Sequence, residues 1–212
     1  MRLKKRPWGD KVLSQNIDIV LSGNDFEKES FIDFVSHDDL VIEIGSGKGD
    51  FIIQMAKKYP DIAFLAIEMQ SMALAYAVRK IQDERLDNIL FINCDGTYLL
   101  DQIKDKTVNT VFLNHSDPWP KKRHHKRRLT YPTMLAKYDR ILKDDGQLIF
   151  KTDNDDLFKD SIEYIDESNF KLDVIEYDYD GNDEYDAKTE YEARFREIGT
   201  PIKRFIATKK GE

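Results

Sequence analysis

Four carboxylates stand at or just beyond the ends of four short apolar runs. Leu40-Val-Ile-Glu-Ile44 carries Glu43, Ala63-Phe-Leu-Ala-Ile67 is followed by Glu68, Ile89-Leu-Phe-Ile92 leads to Asp95, and Thr110-Val-Phe-Leu113 leads to Asp117. The first run opens into Gly45-Ser-Gly47-Lys-Gly49, a GxGxG loop. A dinucleotide fingerprint needs a further glycine at position 50, where Asp50 stands. Phosphate also prefers a helix N-terminus free of acid. With Glu43 before the loop and Asp50 after it, the expected ligand is instead cationic. Glu68 lies about 20 residues beyond the glycines, where a carboxylate can accept both hydroxyls of a ribose. Asp95 can accept from an adenine amino group. Sulfonium, ammonium, ribose diol and adenine together describe S-adenosyl-L-methionine, with Glu43, Gly45, Gly47, Glu68, Asp95 and Asp117 in its pocket. Each acid also has a plainer reading as a cap of the following helix, Asp95 and Asp117 especially. Four of them in register favour the ligand.

The segment after Asp117 is chemically different. Ser116-Asp-Pro-Trp-Pro-Lys121 has prolines at 118 and 120, which fix φ, remove two amide donors and make a stiff turn presenting Trp119. Lys121, Lys122, Arg123, His124, His125, Lys126, Arg127 and Arg128 follow without interruption. The chain's net charge is −7, so the residues outside that run's six positive charges sum to −13. Such segregation suggests a local basic site on an acidic body, and the local field is what attracts a polyanion. The run offers charges to phosphates, which position an RNA without reading its sequence. An isolated basic run reads as solvated surface; this one abuts a strand end that carries chemistry. His124 and His125 pad the patch, since no carboxylate or cysteine stands nearby at metal-ligand spacing.

The elements that must position these groups follow from periodicity. Leu40–Ile44, Ala63–Ile67, Ile89–Ile92, Thr110–Leu113 and Gln147–Phe150 read as strands. Helical spacing runs from Asp50 to Tyr59 and stops at Pro60. Ser71 is expected to cap a helix with Leu74, Val78 and Ile81 on one face. Thr130 is expected to cap another, with Pro132 in its first turn and Leu135, Tyr138 and Leu142 inward, ended by Gly146. A helix after residue 157 and late strands Lys171–Glu176 and Lys203–Thr208 complete the pattern, with Asp178 to Glu192 between them as a long acidic loop. Strands alternating with helices predict an α/β fold, Rossmann-like, with a mostly parallel seven-stranded sheet and helices on both faces. At 212 residues, a single domain is expected: a segment 1–39 with a basic start, then a core 40–212. One cysteine, Cys94, leaves no intramolecular disulfide. Neither a signal peptide nor a spanning segment is evident, so a cytoplasmic address and no membrane partner are expected.

The motifs resemble those of the bacterial tRNA (guanine-N7-)-methyltransferases of TrmB type. The resemblance rests on Glu43-Ile-Gly-Ser-Gly-Lys-Gly49, on Asp117-Pro-Trp-Pro-Lys121 with its basic extension, on Lys151-Thr-Asp153, and on Thr189-Glu-Tyr-Glu192 followed by Arg194-Phe195 and Gly199. They run in family order from about residue 40 to the C-terminus. The resemblance implies Glu43, Glu68, Asp95 and Asp117 on the cofactor. It implies Lys121, Asp153, Thr189, Glu190, Tyr191 and Glu192 on the substrate guanine, and tRNA contact by Lys122 to Arg128. It further implies methylation of the guanine at tRNA position 46, in the variable loop. His115 stands where the family more often carries an aromatic, and Gly96 where alanine is common.

Guanine N7 has a free lone pair, so no proton need leave before it attacks, and catalysis is expected to be mostly positioning. Asp153 or Glu192 could accept from the N1–H and N2–H₂ edge of the base. Asp117 is the expected catalytic group, orienting and electrostatic, and Tyr191 or Trp119 could stack on an unstacked base. Rival readings are a small-molecule methyltransferase, a silent RNA-binding protein on the same fold, and a nicotinamide dehydrogenase. The first has no use for the basic run, the second none for four carboxylates, and the third lacks its glycine at position 50. No obligatory protein partner is evident; monomer and homodimer remain open.

Overall fold

The structure is a computed structural model that describes residues 4–23 and 25–211; the first three residues of the basic start lie outside the described residues. The chain divides into two compact units, Met1–Ile103 with Asp183–Lys188, and Lys104–Asn182 with Thr189–Glu212.

The first unit runs α1 (Pro7–Gln15), β1 (Val20–Ser22), α2 (Glu29–Phe34), β2 (Leu40–Ile44), α3 (Asp50–Lys58), β3 (Ala63–Ile67), α4 (Ser71–Lys80), β4 (Ile89–Asn93) and α5 (Gly96–Leu100). Its strands pair in parallel in the order β1-β4-β3-β2. Every residue of β2 and β3 is buried. Strands covered on both faces have no polar side to alternate with, which is why these read as unbroken apolar runs. α3 turns Phe51, Ile52 and Met55 inward. The Asp183–Lys188 stretch is tied to α3: Gln54 donates to the Lys188 carbonyl at 2.9 Å and the Tyr59 hydroxyl to the Glu184 carbonyl at 2.7 Å.

The second unit runs β5 (Val108–Asn114), a 3-10 helix (Lys122–Arg127), α6 (Pro132–Ile141), β6 (Leu142–Thr152), α7 (Asp155–Asp166), β7 (Phe170–Glu176), α8 (Glu190–Glu197) and β8 (Lys203–Lys209). Its strand order is β5-β6-β8-β7, with β5 and β6 parallel and both pairings of β8 antiparallel. Phe150, Phe158 and Phe205 form its aromatic centre, with Phe150 and Phe205 5.2 Å apart.

The α/β layering matches expectation, and among the described residues β1 is an eighth strand, from the segment before residue 40. Four local expectations change. Ser71 is already inside α4; Gln70 is the N-cap residue and makes no side-chain cap bond. Tyr131 takes the cap position of α6, because the buried Thr130 hydroxyl is satisfied instead by the Ser161 hydroxyl of α7 at 2.6 Å. α6 stops at Ile141, and Leu142 pairs with Val108 as the first residue of β6. Gly146 therefore lies within that strand and ends no helix; a methyl group there would stand 2.9 Å from the Lys143 carbonyl oxygen. The acidic loop closes at Thr189, whose hydroxyl caps α8 by accepting the Glu192 amide at 2.8 Å. The Thr-x-x-Glu spacing is itself a helix-start signature, masked here by the acidic composition around it.

Gly49 tests how tightly the glycine loop is packed. It adopts φ +74°, and an added Cβ would lie 2.7 Å from the Ala77 methyl. Gly49→Ala combines left-handed strain with overpacking and is expected to destabilise the protein by on the order of 2–4 kcal/mol. Urea denaturation showing a loss below about 1 kcal/mol would contradict this packing.

Candidate active site

In the first unit, β2 hands the chain to a loop in which Gly45, Gly47 and Gly49 all have positive φ. The amides of Gly45 and Ser46 donate to the Ile67 carbonyl at 2.8 and 3.0 Å, fastening the loop to the end of β3. Glu68, the residue immediately after that strand, splints it from the side. One carboxylate oxygen accepts the Gly47 amide at 2.9 Å and the other the Gln70 amide at 2.6 Å. Glu43 is buried at 2% exposure beside the loop. Asp95 caps α5, accepting from the Thr97 amide at 2.8 Å, so its plainer reading is realised. Beyond it, a Cβ on Gly96 would approach the Ile44 methyl to 2.9 Å. Asp50 forms an ion pair with Lys80, which also donates to the Lys48 carbonyl at 2.9 Å. The acidity of the loop thus falls to Glu43 and Glu68.

In the second unit, β5 delivers His115 in a left-handed conformation, φ 50°, with its amide donating to the Lys151 carbonyl at 2.8 Å. Asp117 is exposed two residues further on. Trp119 is also left-handed, φ 42°, with the Arg127 guanidinium 5.0 Å from its ring centre and the His124 ring edge-on at 5.9 Å. Lys122 to Arg127 form the 3-10 helix, none of them buried, and Lys121 is exposed beside it. Arg128 departs from the run. It is 2% exposed, donates from Nε to the Pro118 carbonyl at 2.8 Å, and pairs with Asp160. Its charge is buried and holds the turn, which is at odds with its expected place among the RNA contacts.

Around His115 the second unit gathers three of the six expected substrate residues, Asp153, Tyr191 and Glu192. Lys151 and Glu192 are both fully buried and bonded at 3.0 Å. The other Glu192 oxygen accepts Nε and Nη2 of Arg196 at 3.0 and 2.7 Å. The His115 ring lies 3.7 Å from Asp153 through Nδ1 and 3.8 Å from Glu192 through Nε2, beyond hydrogen-bond reach, so the attraction is coulombic. The Tyr191 hydroxyl donates to Asp153 at 3.3 Å, its ring tilts against His115 at 4.9 Å and stacks on Phe195 at 4.4 Å. Lys203 donates to the Asp153 carbonyl at 3.0 Å. Glu190 is exposed. Burial opposes ionisation of Glu192, yet His115, Lys151 and Arg196 outweigh it and hold the carboxyl down at about 2. His115 lowers Asp153 as well, against partial burial. Burial, with Asp153 beside it, pushes the Tyr191 hydroxyl up to about 12. Arg196 and Tyr179 were not singled out by sequence. Arg196 was detectable as the i,i+4 partner of Glu192. Tyr179, 2% exposed beneath the Arg204 guanidinium at 3.9 Å, carried no local signal.

Residues 37–205 match a family model described as "Putative methyltransferase". Over 206 residues the chain is 40% identical to the tRNA (guanine-N(7)-)-methyltransferase of Bacillus subtilis (strain 168), covering 96% of this chain and 97% of that one. The enzyme of the same name from Exiguobacterium sibiricum is 40% identical over 210 residues, covering 98% and 99%. The chain belongs to this family. Solved structures agree on the fold: a 16S rRNA methyltransferase, KamB, superposes with a TM-score of 0.66 at 13% identity over 86% of this chain and 94% of its own. An antibiotic-related methyltransferase gives 0.64 at 16% identity over 87% and 94%. The methyl donor of this methyltransferase family member is S-adenosyl-L-methionine. The first unit's residues suit that donor. Its loop is free of side chains at the glycines, Glu43 and Glu68 are buried beside it, and the buried Ser46 hydroxyl has no hydrogen-bond partner among the described residues.

Glu192→Ala would strand the Lys151 ammonium in the interior, at an expected cost of about 3–5 kcal/mol at neutral pH. A carboxyl with a depressed folded pKa contributes stability above its ordinary value of 4.5 and loses it as pH falls towards about 2. The gap between wild type and variant in denaturant melts should therefore be full above pH 5 and narrow across that acid window. A gap that stays constant down to pH 2 would sink the assignment.

Proposed function

We propose that this chain transfers the methyl group of S-adenosyl-L-methionine to N7 of a tRNA guanine, the one at position 46 in the variable loop. The reading is carried by one conjunction: a glycine loop splinted by Glu68 and an exposed basic helix after a strand-end Asp, in a chain 40% identical to an enzyme named for that reaction. We assign Glu43 to the cationic tail of the donor, Gly45 and Gly47 to close backbone approach, Glu68 to the ribose hydroxyls and Asp95 to the adenine amino group. The bound donor supplies an electrophilic methyl group on sulfur. N7 needs no base to expose its lone pair, so the chain's residues work by holding and by charge. Asp117, exposed and acidic, orients the base and stabilises the positive charge arriving on it.

Of the two carboxylates considered for the guanine edge, Asp153 is the better placed. Its side chain is 22% exposed, whereas that of Glu192 is fully enclosed by Lys151, Arg196 and His115. Glu192 and Thr189 serve by building α8, which presents Glu190 and the 45%-exposed Tyr191 beside Asp153. Lys121, Lys122, Arg123, Lys126 and Arg127 face phosphate, with His124 and His125 among them. No helix among the described residues is long and apolar enough to cross a membrane, and the cytoplasm, where tRNA is matured, is the proposed address.

Tritium transfer from labelled donor to tRNA, followed by nucleoside analysis, tests the reaction. Label should appear as 7-methylguanosine and vanish from a transcript with adenine at position 46. Label in another nucleoside would overturn the reaction, and label surviving the substitution would overturn the position. A binding titration tests the basic helix separately. Neutralising Lys122, Arg123, Lys126 and Arg127 should flatten the slope of log K against log salt by up to about 3–4, with cofactor affinity unchanged. An unchanged slope would make the helix ordinary solvated surface.

A further inference from the structure

His115 occupies an unusual place in the second unit. Its backbone is left-handed, φ 50°, a conformation that few non-glycine residues adopt. The side chain is 5% exposed, and its two nitrogens face two carboxylates on different elements: Asp153 after β6 at 3.7 Å and Glu192 of α8 at 3.8 Å. The charged and titratable groups around it are these two, Tyr191 of α8 at 4.9 Å between ring centres, and Lys151 of β6, itself bonded to Glu192 at 3.0 Å. Glu192 is already neutralised by Lys151 and Arg196. Asp153 has no such cation: its carboxylate receives only the Tyr191 hydroxyl, at 3.3 Å, among the side-chain hydrogen bonds of the described residues.

We infer that His115 is a positioning residue for the methyl-transfer site, its imidazolium clamped between Asp153 and Glu192 so that the Asp153 carboxylate is held at a fixed angle for the substrate purine. The inference rests on the assignment of Asp153 to the guanine edge. A phenyl ring in this position would fill the space but hold neither acid. Two carboxylates facing one imidazole favour its protonated form; burial opposes this, but Asp153 and Glu192 prevail over burial and over Lys151, leaving the ring's pKa above its ordinary 6.5. A group raised in this way contributes fully below that ordinary value, and its contribution is lost as pH rises through the higher folded value. The chain thus carries a pH-dependent clamp on a reaction that needs no proton transfer of its own.

Two measurements on the full chain decide the matter. Nitrogen-15 chemical shifts of the His115 ring, followed against pH without any substrate, should titrate above 6.5 in wild type, and lower than wild type in Asp153→Asn, where only Glu192 still opposes burial. A wild-type value at or below 6.5, or one indifferent to Asp153→Asn, overturns the clamp. Steady-state methylation of tRNA gives the second readout. His115→Phe and His115→Gln should lower kcat/KM for tRNA about tenfold at neutral pH, mostly through KM, and remove the falling alkaline limb that wild type shows. Variants with wild-type KM and an unaltered limb also overturn it. Should wild type itself methylate no tRNA, the functional reading fails while the ring titration still decides the clamp. Should His115→Phe fold poorly, the near-isosteric glutamine variant carries the kinetic arm.

Discussion

Lys151 and Glu192 meet at 3.0 Å with no solvent exposure on either side chain, and the surrounding part of the second unit is arranged around the cost of putting them there. Removing each charge from water costs several kcal/mol after relaxation, and attraction between the two offsets that only when the remaining lone pairs and protons are also satisfied. The surroundings supply this. Arg196 forks onto the second carboxylate oxygen, His115 stands at 3.8 Å, and the Tyr179 ring lies 5.9 Å beneath the Lys151 ammonium. The pair unites the end of β6 with the first turn of α8, elements 41 residues apart in the chain. A less polar pairing would have packed at least as well, but it would not have fixed an acid-bearing helix against an acid-bearing strand end. Asp153, Tyr191 and His115 take their positions from that junction.

The glycine loop obeys a different constraint. There, backbone conformation comes first and charge second. Gly47 and Gly49 occupy left-handed φ values that a side chain would strain, and Glu68 then captures the Gly47 amide at 2.9 Å. The same carboxylate accepts the Gln70 amide through its other oxygen at 2.6 Å, so one buried acid ties the glycine loop to the exit of β3. Buried acid beside the loop disfavours a phosphate there, since like charges would meet at low dielectric. The same physics that excludes a dinucleotide from the sequence pattern therefore operates in the folded loop, even though Asp50, one of the two acids first credited with it, is neutralised by Lys80.

Legibility in the sequence tracked how local the determining interaction is. β2 and β3 were bounded correctly because burial on both faces leaves a continuous apolar run. The strand-end acids were visible because parallel strands deliver whatever follows them to one edge of the sheet. Caps were harder: Thr130 has the right residue type, yet a buried hydroxyl finds Ser161 across 31 residues, and no local pattern announces that. The same holds for the inward turn of Arg128, set by Asp160 32 residues later, and for the burial of Glu192. An acidic stretch of Asp178 to Glu192 looks solvated by composition; only the partner lysine and arginine show that one of its members is core. α8 was the exception, since its Thr189-x-x-Glu192 start is local and could have been read.

Arg128 also explains why the basic run is a platform and not a tail. Pro118 and Pro120 stiffen the turn but have no amide to donate. The Pro118 carbonyl needs a donor from elsewhere, and the Arg128 Nε provides it at 2.8 Å while the same guanidinium pairs with Asp160 on α7. A lysine could make one of these bonds but not both at once with a planar fork. With both ends of the segment fixed, the residues between them are constrained into a 3-10 helix, and its cations stand outward in a fixed array. Trp119, trapped at φ 42° between the prolines, receives the Arg127 guanidinium on its face at 5.0 Å. One arginine is therefore withdrawn from the exposed basic set, and its burial fixes the backbone that carries the others. Backbone freedom already given up in the folded chain is not lost again on association, so a run held in a 3-10 helix would meet any polyanion at a smaller entropic cost than a disordered run of the same charge.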